Sequence, residues 1–313
     1  MSAILVVGSE GTLGRPLVRA LRARGHEVYT TDVMHGPDPK HMRADVRSLR
    51  QLERVVTEFG PFDFVYHLAA EFGRLNGEDY YEQLWTTNLV GTRNLLELAR
   101  RNGFQLVFTS SSEIYGERQE EWLDEDLPLG QPVYPQNDYA ISKWANELQI
   151  RHFTSRHEVP VMILRLFNAY GPGERYHPYR SVVCLFVYRA LTGTPFDVYQ
   201  DYHRAFMYVD DAIATLANAV DAFRPGAVYN VGGREYRSVE DLAQLVLAET
   251  AADPSLVRLV GREEHNTRDK RPRISRAEAD LGHRPDTTLE LGVPRTVAWM
   301  RDIVGRGDSA WNA

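Results

Sequence analysis

The sequence predicts an α/β fold, a doubly wound parallel sheet with a smaller, interleaved C-terminal lobe. Two observations predict it. Short β-branched runs alternate with longer amphipathic stretches through the first half, and the rhythm breaks after Leu166 into Gly/Pro-bearing loops and Tyr- and Arg-rich passages. The expected strands are residues 4–7, 28–32, 64–68, 106–109 and 161–166, and the expected helices 12–24, 49–59, 80–102 and 138–156. Gly25, Gly60 and Gly103 fall where helix C-caps belong. Beyond Leu166 come a loop at Gly171-Pro172-Gly173, a helix over 181–192, short strands within 195–207, a helix over 210–223, a strand over 228–231 and a helix over 238–249. The division expected is 1–166, joined by about 209–232, for the first domain and 167–313 for the lobe, with 305–313 a frayed tail.

The 313 residues are 43% hydrophobic, enough for one large core or two modest ones. With 36 basic and 43 acidic residues the formal charge is −7, which argues against a general nucleic-acid or membrane-surface binder, so local cations must hold any anionic ligand. The chain starts directly into its first strand with no signal-like or membrane-length apolar run, and a cytoplasmic location is expected. One cysteine, Cys184, excludes an internal disulfide and reads as core packing. The ten histidines lack metal-ligand spacing; no metal is expected, and His152, His157, His265 and His283 read as surface residues.

The first strand runs into Gly8-Ser9-Glu10-Gly11-Thr12-Leu13-Gly14 and then a helix. Glycines at such a turn let a diphosphate approach backbone N–H groups and the positive end of the helix dipole. Asp32 ends the second strand, where a carboxylate accepts hydrogen bonds from adenosine ribose hydroxyls and repels a 2′-phosphate, so NAD is favoured over NADP. Asp45-Val46 are placed to meet the adenine, or else form an ordinary helix cap.

Tyr139 and Lys143 stand four apart on a helix, which sets a phenol beside an ammonium group. An adjacent cation stabilises a phenolate, so the pair suits removal of a proton from a hydroxyl. The same spacing is also common on inert exposed helices.

With His67-Leu68-Ala69-Ala70, Asn88-Leu89-Val90-Gly91-Thr92, Thr109-Ser110-Ser111-Ser112-Glu113-Ile114-Tyr115-Gly116 and Arg165-Leu166-Phe167-Asn168 added in order, the chain resembles the extended short-chain dehydrogenase/reductases. Within them it is similar to the NAD-dependent nucleotide-sugar epimerase/dehydratase family. The resemblance implies a Rossmann-type sheet, bound NAD, a nucleoside-diphosphate sugar (UDP-, GDP-, dTDP- or CDP-linked) as substrate, and a homodimer formed through the 80–102 and 138–156 helices. It implies that Gly8, Gly11, Thr12, Leu13, Gly14, Asp32, Asp45, Val46, Leu68, Ala69, Ala70, Asn88, Tyr139 and Lys143 surround the cofactor. Ser111 and Tyr139 then act at the sugar C4 hydroxyl, with Lys143 holding the nicotinamide ribose.

Glu113 stands where dehydratases and uronate decarboxylases of the family commonly carry glutamate; it suits C5 proton abstraction or uronate decarboxylation, or else orients a hydroxyl. Ser112 departs from the aspartic acid usual in glucose-type dehydratases. Asn168, Arg204 and Arg271 resemble substrate-diphosphate residues, with Arg268 and Lys270 as rivals to Arg271. Two stretches, 71–74 and 175–180, match no subfamily, and Arg74 or Arg180 is a candidate for meeting a C6 carboxylate. Three other readings stand beside the main one: a pure 4-epimerase, an NADPH ketoreductase disfavoured by Asp32, and a silent dinucleotide sensor disfavoured by the presence of Ser111, Tyr139 and Lys143 together.

Overall fold

The computed structural model describes residues 1–263 and 265–306. In chain order its first half runs β1 (Ala3–Val7), α1 (Gly14–Ala23), β2 (Glu27–Asp32), β3 (His41–Arg43), α2 (Leu49–Phe59), β4 (Phe64–His67), α3 (Arg74–Asp79), α4 (Tyr81–Trp85), α5 (Gly91–Asn102), β5 (Gln105–Ser111), α6 (Leu127–Gly130), α7 (Asp138–His157) and β6 (Val161–Leu166). The second half runs β7 (Ala169–Tyr170), α8 (Val182–Leu191), β8 (Phe196–Tyr199), β9 (His203–Ala205), β10 (Met207–Tyr208), α9 (Val209–Asn218), β11 (Val228–Val231), β12 (Tyr236–Ser238), α10 (Val239–Thr250), β13 (Val257–Val260), β14 (Asp269–Lys270), α11 (Ser275–Leu281) and α12 (Leu289–Gly305).

Seven strands form one parallel sheet in the order β11-β6-β5-β4-β1-β2-β3. The chain leaves β1 toward β2 and β3, then crosses to β4, so the direction reverses between β1 and β4 and a crevice opens at their C-terminal ends. Side chains alternate across the sheet: Ile4 and Val6 point into one core with α1, α8, α9, α10 and α12, while Leu5 and Val7 point into the other with α2, α5 and α7. The small sheets β10-β7, β12-β9-β14 and β13-β8 build the lobe. Strand β11 pairs with β6 and α9 packs on α1, so the chain returns to the main sheet after its first excursion.

Two sequence readings change, and the glycine caps differ in conformation. The single helix expected over 80–102 begins instead at Arg74, breaks at Tyr80 and passes through a π-helical turn, Thr86–Val90, before α5. The wide turn carries Asn88, whose amide bonds the Glu71 backbone at both ends (2.9 and 3.0 Å) and donates to Ser142 Oγ (2.9 Å). Gly60 ends α2 in an extended conformation, because the following Pro61 disfavours helical geometry before it; Gly103, by contrast, caps α5 at φ +77°. His283 is buried, not on the surface: its ring bridges Thr215 Oγ1 (2.7 Å) and the Gly232 carbonyl (2.8 Å), a use of both nitrogens that no local pattern announces. Cys184 is a buried free thiol in the lobe-side core. Residues 307–313 of the expected tail lie outside the described residues.

The deepest polar feature joins β6 to α7. Arg165 on β6 and Glu147 on α7 form an ion pair at zero side-chain exposure, with Nη2 to Oε2 at 2.8 Å and Nε to Oε1 at 3.0 Å. Ser110 Oγ donates to the same Glu147 carboxylate at 2.6 Å. Arg165→Met is expected to destabilise the protein by about 3–5 kcal/mol, because it strands a buried carboxylate, whereas Glu147→Leu/Arg165→Met should recover most of the loss. Urea unfolding of both variants measures it.

Candidate active site

The glycine turn sits at the sheet's reversal point. Gly8 has φ +87°, and a Cβ there would lie 2.5 Å from the Ala69 amide nitrogen; a Cβ on Gly14 would lie 2.2 Å from the Gly8 carbonyl. These two glycines therefore pack backbone on backbone. Gly11 differs, since its Cβ would meet only the Gly8 carbonyl at 3.4 Å, leaving its outer face open. No side chain caps the first turn of α1, and Ser9 Oγ is buried without a partner among the described residues. An uncapped helix start, an open glycine face and an orphan hydroxyl fit the diphosphate of a dinucleotide. Asp32 accepts from the Glu10 amide (2.9 Å) and the Met34 amide (3.0 Å), and its second lone pairs suit ribose hydroxyls. Leu68 and Ala69 hang from the Val7 carbonyl and form the opposite lip, continued by Ala70; Thr12 and Leu13 lead into α1. Asp45 is gripped by Arg47 (2.6 Å), while Val46 is buried against Gly91. Asn88 spends its amide on Glu71 and Ser142, so the structure gives it the task of holding the loop after β4 against α7.

Tyr139 and Lys143 lie on α7, whose N-cap Asn137 accepts from the Ala140 amide at 2.9 Å. Tyr139 shares a side-chain hydrogen bond with Ser111, itself 8% exposed at the end of β5. Burial pushes the Tyr139 phenol up to about 12 against the favourable Ser111 bond, and the charge of Glu113 raises it further. Lys143 donates to the Thr109 carbonyl at 2.9 Å, and burial lowers its pKa to about 8. The spacing thus brings the two residues together, with the ammonium 6.0 Å from the ring centre, but Lys143 is turned toward β5 and does not lower the phenol in this arrangement. Ser112 is buried in the short turn after β5.

Glu113 meets the lobe in an ion pair with Lys270, which is 2% exposed. Burial opposes ionisation of Glu113, yet Lys270, then Arg204 and Arg74, outweigh it and hold the carboxyl below its ordinary range. Burial also dominates Lys270, lowering its pKa to about 8. The pair is therefore charged at neutral pH.

Among Arg268, Lys270 and Arg271, the residue at Glu113 is Lys270. Strand β14 pairs with β9 so that Lys270 stands beside Arg204, and strand alternation sends the neighbours elsewhere. Arg271 stacks 3.9 Å from the Trp122 ring centre and pairs with Glu121 at 2.6 Å, while Arg268 faces Glu117. Arg204 is buried, but its guanidinium donates to the carbonyls of His203, Thr267 and Arg268 and to Asn266 Oδ1 (2.6–3.2 Å), which ties down the 266–268 loop. Asn168 holds the strained backbone φ of +36°, with its Oδ1 buried and unpartnered among the described residues, as a ligand-facing amide would be. Arg74 pairs with Glu263 at 2.6 Å, and Arg180 stacks 4.5 Å from the Phe72 ring centre. Among the described residues no cluster of three or more metal-ligating side chains occurs, and no helix is long and apolar enough to cross a membrane.

Comparison with known proteins places this geometry. The NAD dependent epimerase/dehydratase family matches residues 4–232. The UDP-N-acetyl-alpha-D-glucosaminuronate decarboxylase of Bacillus cytotoxicus is 28% identical over 319 residues, covering 96% of this chain and 98% of that protein. The UDP-glucose 4-epimerase of Thermus thermophilus, solved with NAD, superposes with a TM-score of 0.84 at 28% identity, covering 95% of this chain and 98% of its own. DesIV, a dTDP-glucose 4,6-dehydratase of Streptomyces venezuelae solved with NAD and TYD, gives a TM-score of 0.86 at 28% identity, covering 97% and 98%. These relatives run three different reactions, so the choice among them rests on the side chains around Glu113.

Two measurements test the site. Gly11→Val should leave thermal stability nearly unchanged but weaken NAD binding by about tenfold or more, read by calorimetric titration, because its side chain fills the open face. Lys270 loses its charge as pH rises through about 8, so affinity for an anionic nucleotide sugar should fall between pH 7 and 9. Lys270→Arg, charged throughout that range, should remove the fall.

Proposed function

Because the chain belongs to the NAD-dependent epimerase/dehydratase family, we propose that it oxidises a nucleoside-diphosphate-linked uronate at C4 and releases its C6 carboxylate as carbon dioxide. The observation that carries this reading is the setting of Glu113. Lys270, Arg204 and Arg74 act on its carboxylate together, and three cations converging on one buried carboxylate suit an anionic group of the substrate. A carboxylate held below its ordinary range is a weak proton acceptor. That disfavours Glu113 as the C5 base of a dehydration, and Ser112 supplies no acid for a departing C6 hydroxyl.

In the proposed reaction NAD supplies the hydride acceptor for C4. Ser111 and Tyr139 hold the C4 hydroxyl, and Tyr139 takes its proton. Lys143, on the Thr109 carbonyl, faces the cofactor ribose. The C4 ketone makes the substrate a β-keto acid; its C5–C6 bond breaks, carbon dioxide leaves, and the electron pair is held as an enolate across C4 and C5. Lys270, whose ammonium gives up its proton near pH 8, is positioned by Glu113 to protonate C5, and return of the hydride to C4 with the Tyr139 proton to O4 then gives the pentose with no net oxidation. Asn168 and one of the lobe cations hold the diphosphate. The first domain is then 1–166 with about 209–232, and 167–313 is the substrate lobe. Exposed Ile141 and Leu148 on α7, seven residues apart, with exposed Tyr81 and Val90, support a homodimer through these helices. The buried free thiol of Cys184 suits a cytoplasmic protein.

A panel of UDP-, GDP-, dTDP- and CDP-linked uronates and neutral sugars, read by NMR and carbon dioxide release, tests the reaction. A nucleotide-linked pentose with one carbon dioxide is expected from a hexuronate. A C4-inverted product without carbon dioxide would make the enzyme an epimerase, and tight NAD binding with no product a sensor. Lys270→Met should lower kcat by about 10²–10⁴-fold while NAD binding persists.

A further inference from the structure

The two stretches that match no subfamily pattern lie against each other. Phe72 sits beneath Arg180, Tyr179 donates to Asp79 at 2.5 Å, and Gly73, at φ +99°, leaves 2.9 Å between its absent Cβ and the Tyr179 carbonyl. One turn into α3, Gly77 packs on the start of α7, where a Cβ would come within 3.3 Å of the Tyr139 amide nitrogen. Arg74 is thereby held between lobe and sheet, beside the residue that opens the reaction, and its charge acts on both Glu113 and Lys270.

Its partner comes from the lobe. Glu263 meets Arg74 Nη2 at 2.6 Å, with side-chain exposures of 24% for Arg74 and 16% for Glu263. Tyr202, itself buried, fixes the Glu263 backbone by donating to its carbonyl (2.9 Å) and accepting from its amide (3.0 Å), and Asn266 Nδ2 holds the other carboxylate oxygen at 2.7 Å. A protein carboxylate thus rests on a guanidinium whose charge reaches Glu113 and Lys270, while Lys270 itself is paired with Glu113 and Arg204 is spent on backbone carbonyls.

We infer that Arg74 is the residue that reads the substrate's acid group, and that Glu263 is its resting counter-ion, displaced when a sugar carboxylate arrives. The inference rests on the uronate reading above. A guanidinium presents five donors in a planar fork, so the exchange of one carboxylate for another conserves its hydrogen-bond geometry. A neutral sugar offers no such exchange and leaves the Arg74–Glu263 pair closed. Discrimination follows from the difference, because only the acid replaces what Arg74 loses when Glu263 is displaced, and a neutral sugar gains nothing from opening the pair.

Binding titrations on the NAD-loaded full chain separate the roles, using UDP-glucuronate against UDP-glucose and UDP-N-acetylglucosaminuronate against UDP-N-acetylglucosamine. Wild type should prefer the acid in at least one pair by about tenfold or more. Arg74→Gln should abolish that preference while neutral-sugar affinity stays within about twofold, and Arg74→Lys should restore part of it. Glu263→Gln should move the other way, tightening acid binding severalfold without changing the neutral sugar. Opposite shifts are the signature, because a pair that merely braces the loop would weaken both ligands in both variants. Parallel losses, or no acid preference in either wild-type pair, would overturn the assignment. Carbon dioxide release measured alongside keeps the two claims apart: a preference that collapses in Arg74→Gln, with no carbon dioxide from wild type, sinks the decarboxylase reading alone. Carbon dioxide release with preference unchanged in Arg74→Gln sinks the role of Arg74 alone.

Discussion

Arg165 anchors the site from beneath. It lies in register between Ser110 on β5 and Asn230 on β11, so one guanidinium at the middle of three parallel strands reaches everything that must be held. Its Nε and Nη2 take Glu147 and with it α7; its Nη1 takes Tyr115 Oη and the Glu125 carbonyl, each at 2.8 Å. Tyr115 passes the contact to Asn230 Oδ1 (2.7 Å), and the Asn230 amide nitrogen donates to Glu125 (3.0 Å). A charge buried this deeply is tolerated because every guanidinium nitrogen has a partner, and the same requirement fixes where α7 and the 112–125 segment sit relative to the sheet. The positions of Tyr139, Lys143 and Glu113 are consequences of that matching.

Glu147 also acts upward. One helical turn beyond Lys143, it is the charge that supports the buried ammonium against desolvation. The network that orients the helix therefore also sets how much charge Lys143 retains. On an acidic protein, this is how cations are kept where an anionic ligand needs them: Lys270, Arg74 and Arg165 are each held by a carboxylate from another part of the chain, and Lys143 by Glu147 one turn along its own helix. The net charge of −7 thus describes the outer surface and says little about the crevice.

What the sequence made legible was local. Gly8, Gly11 and Gly14 lie on one strand-turn-helix unit, and Tyr139 and Lys143 on one helix, so their spacing already carries their geometry. The failures all involve distant partners. The pairing of Lys270 with Glu113 was not foreseen because it depends on a two-residue strand pairing with β9, a register that alternation cannot fix without its neighbour. His283 was read as exposed because its partners, Thr215 and Gly232, are 68 and 51 residues away. The helix over 80–102 was read as continuous because the cause of its wide turn, Asn88 bridging Glu71 and Ser142, is a tertiary contact written over a helical pattern. Lys143 was expected to lower the Tyr139 phenol, a rule of spacing, whereas its direction is set by the Thr109 carbonyl.

The last point bears on why Glu113 and Lys270 occur together. A phenolate at Tyr139 and a carboxylate at Glu113 are like charges in one half-buried pocket, and the carboxylate raises the phenol's pKa. An unpaired Glu113 would therefore oppose the first step of the proposed reaction. Lys270 resolves this by lying directly on the carboxylate, so that its field and that of Glu113 partly cancel at the phenol. Lys270 lies on β14 and Tyr139 on α7, so the seating of β14 against the turn after β5 is what keeps the Glu113 charge paired. The Arg165 network fixes the 112–125 segment against α7 and β11, and Leu123 of that segment exchanges backbone hydrogen bonds with Arg271 and Arg273 (2.7 and 2.9 Å), which keeps Lys270 beside Glu113.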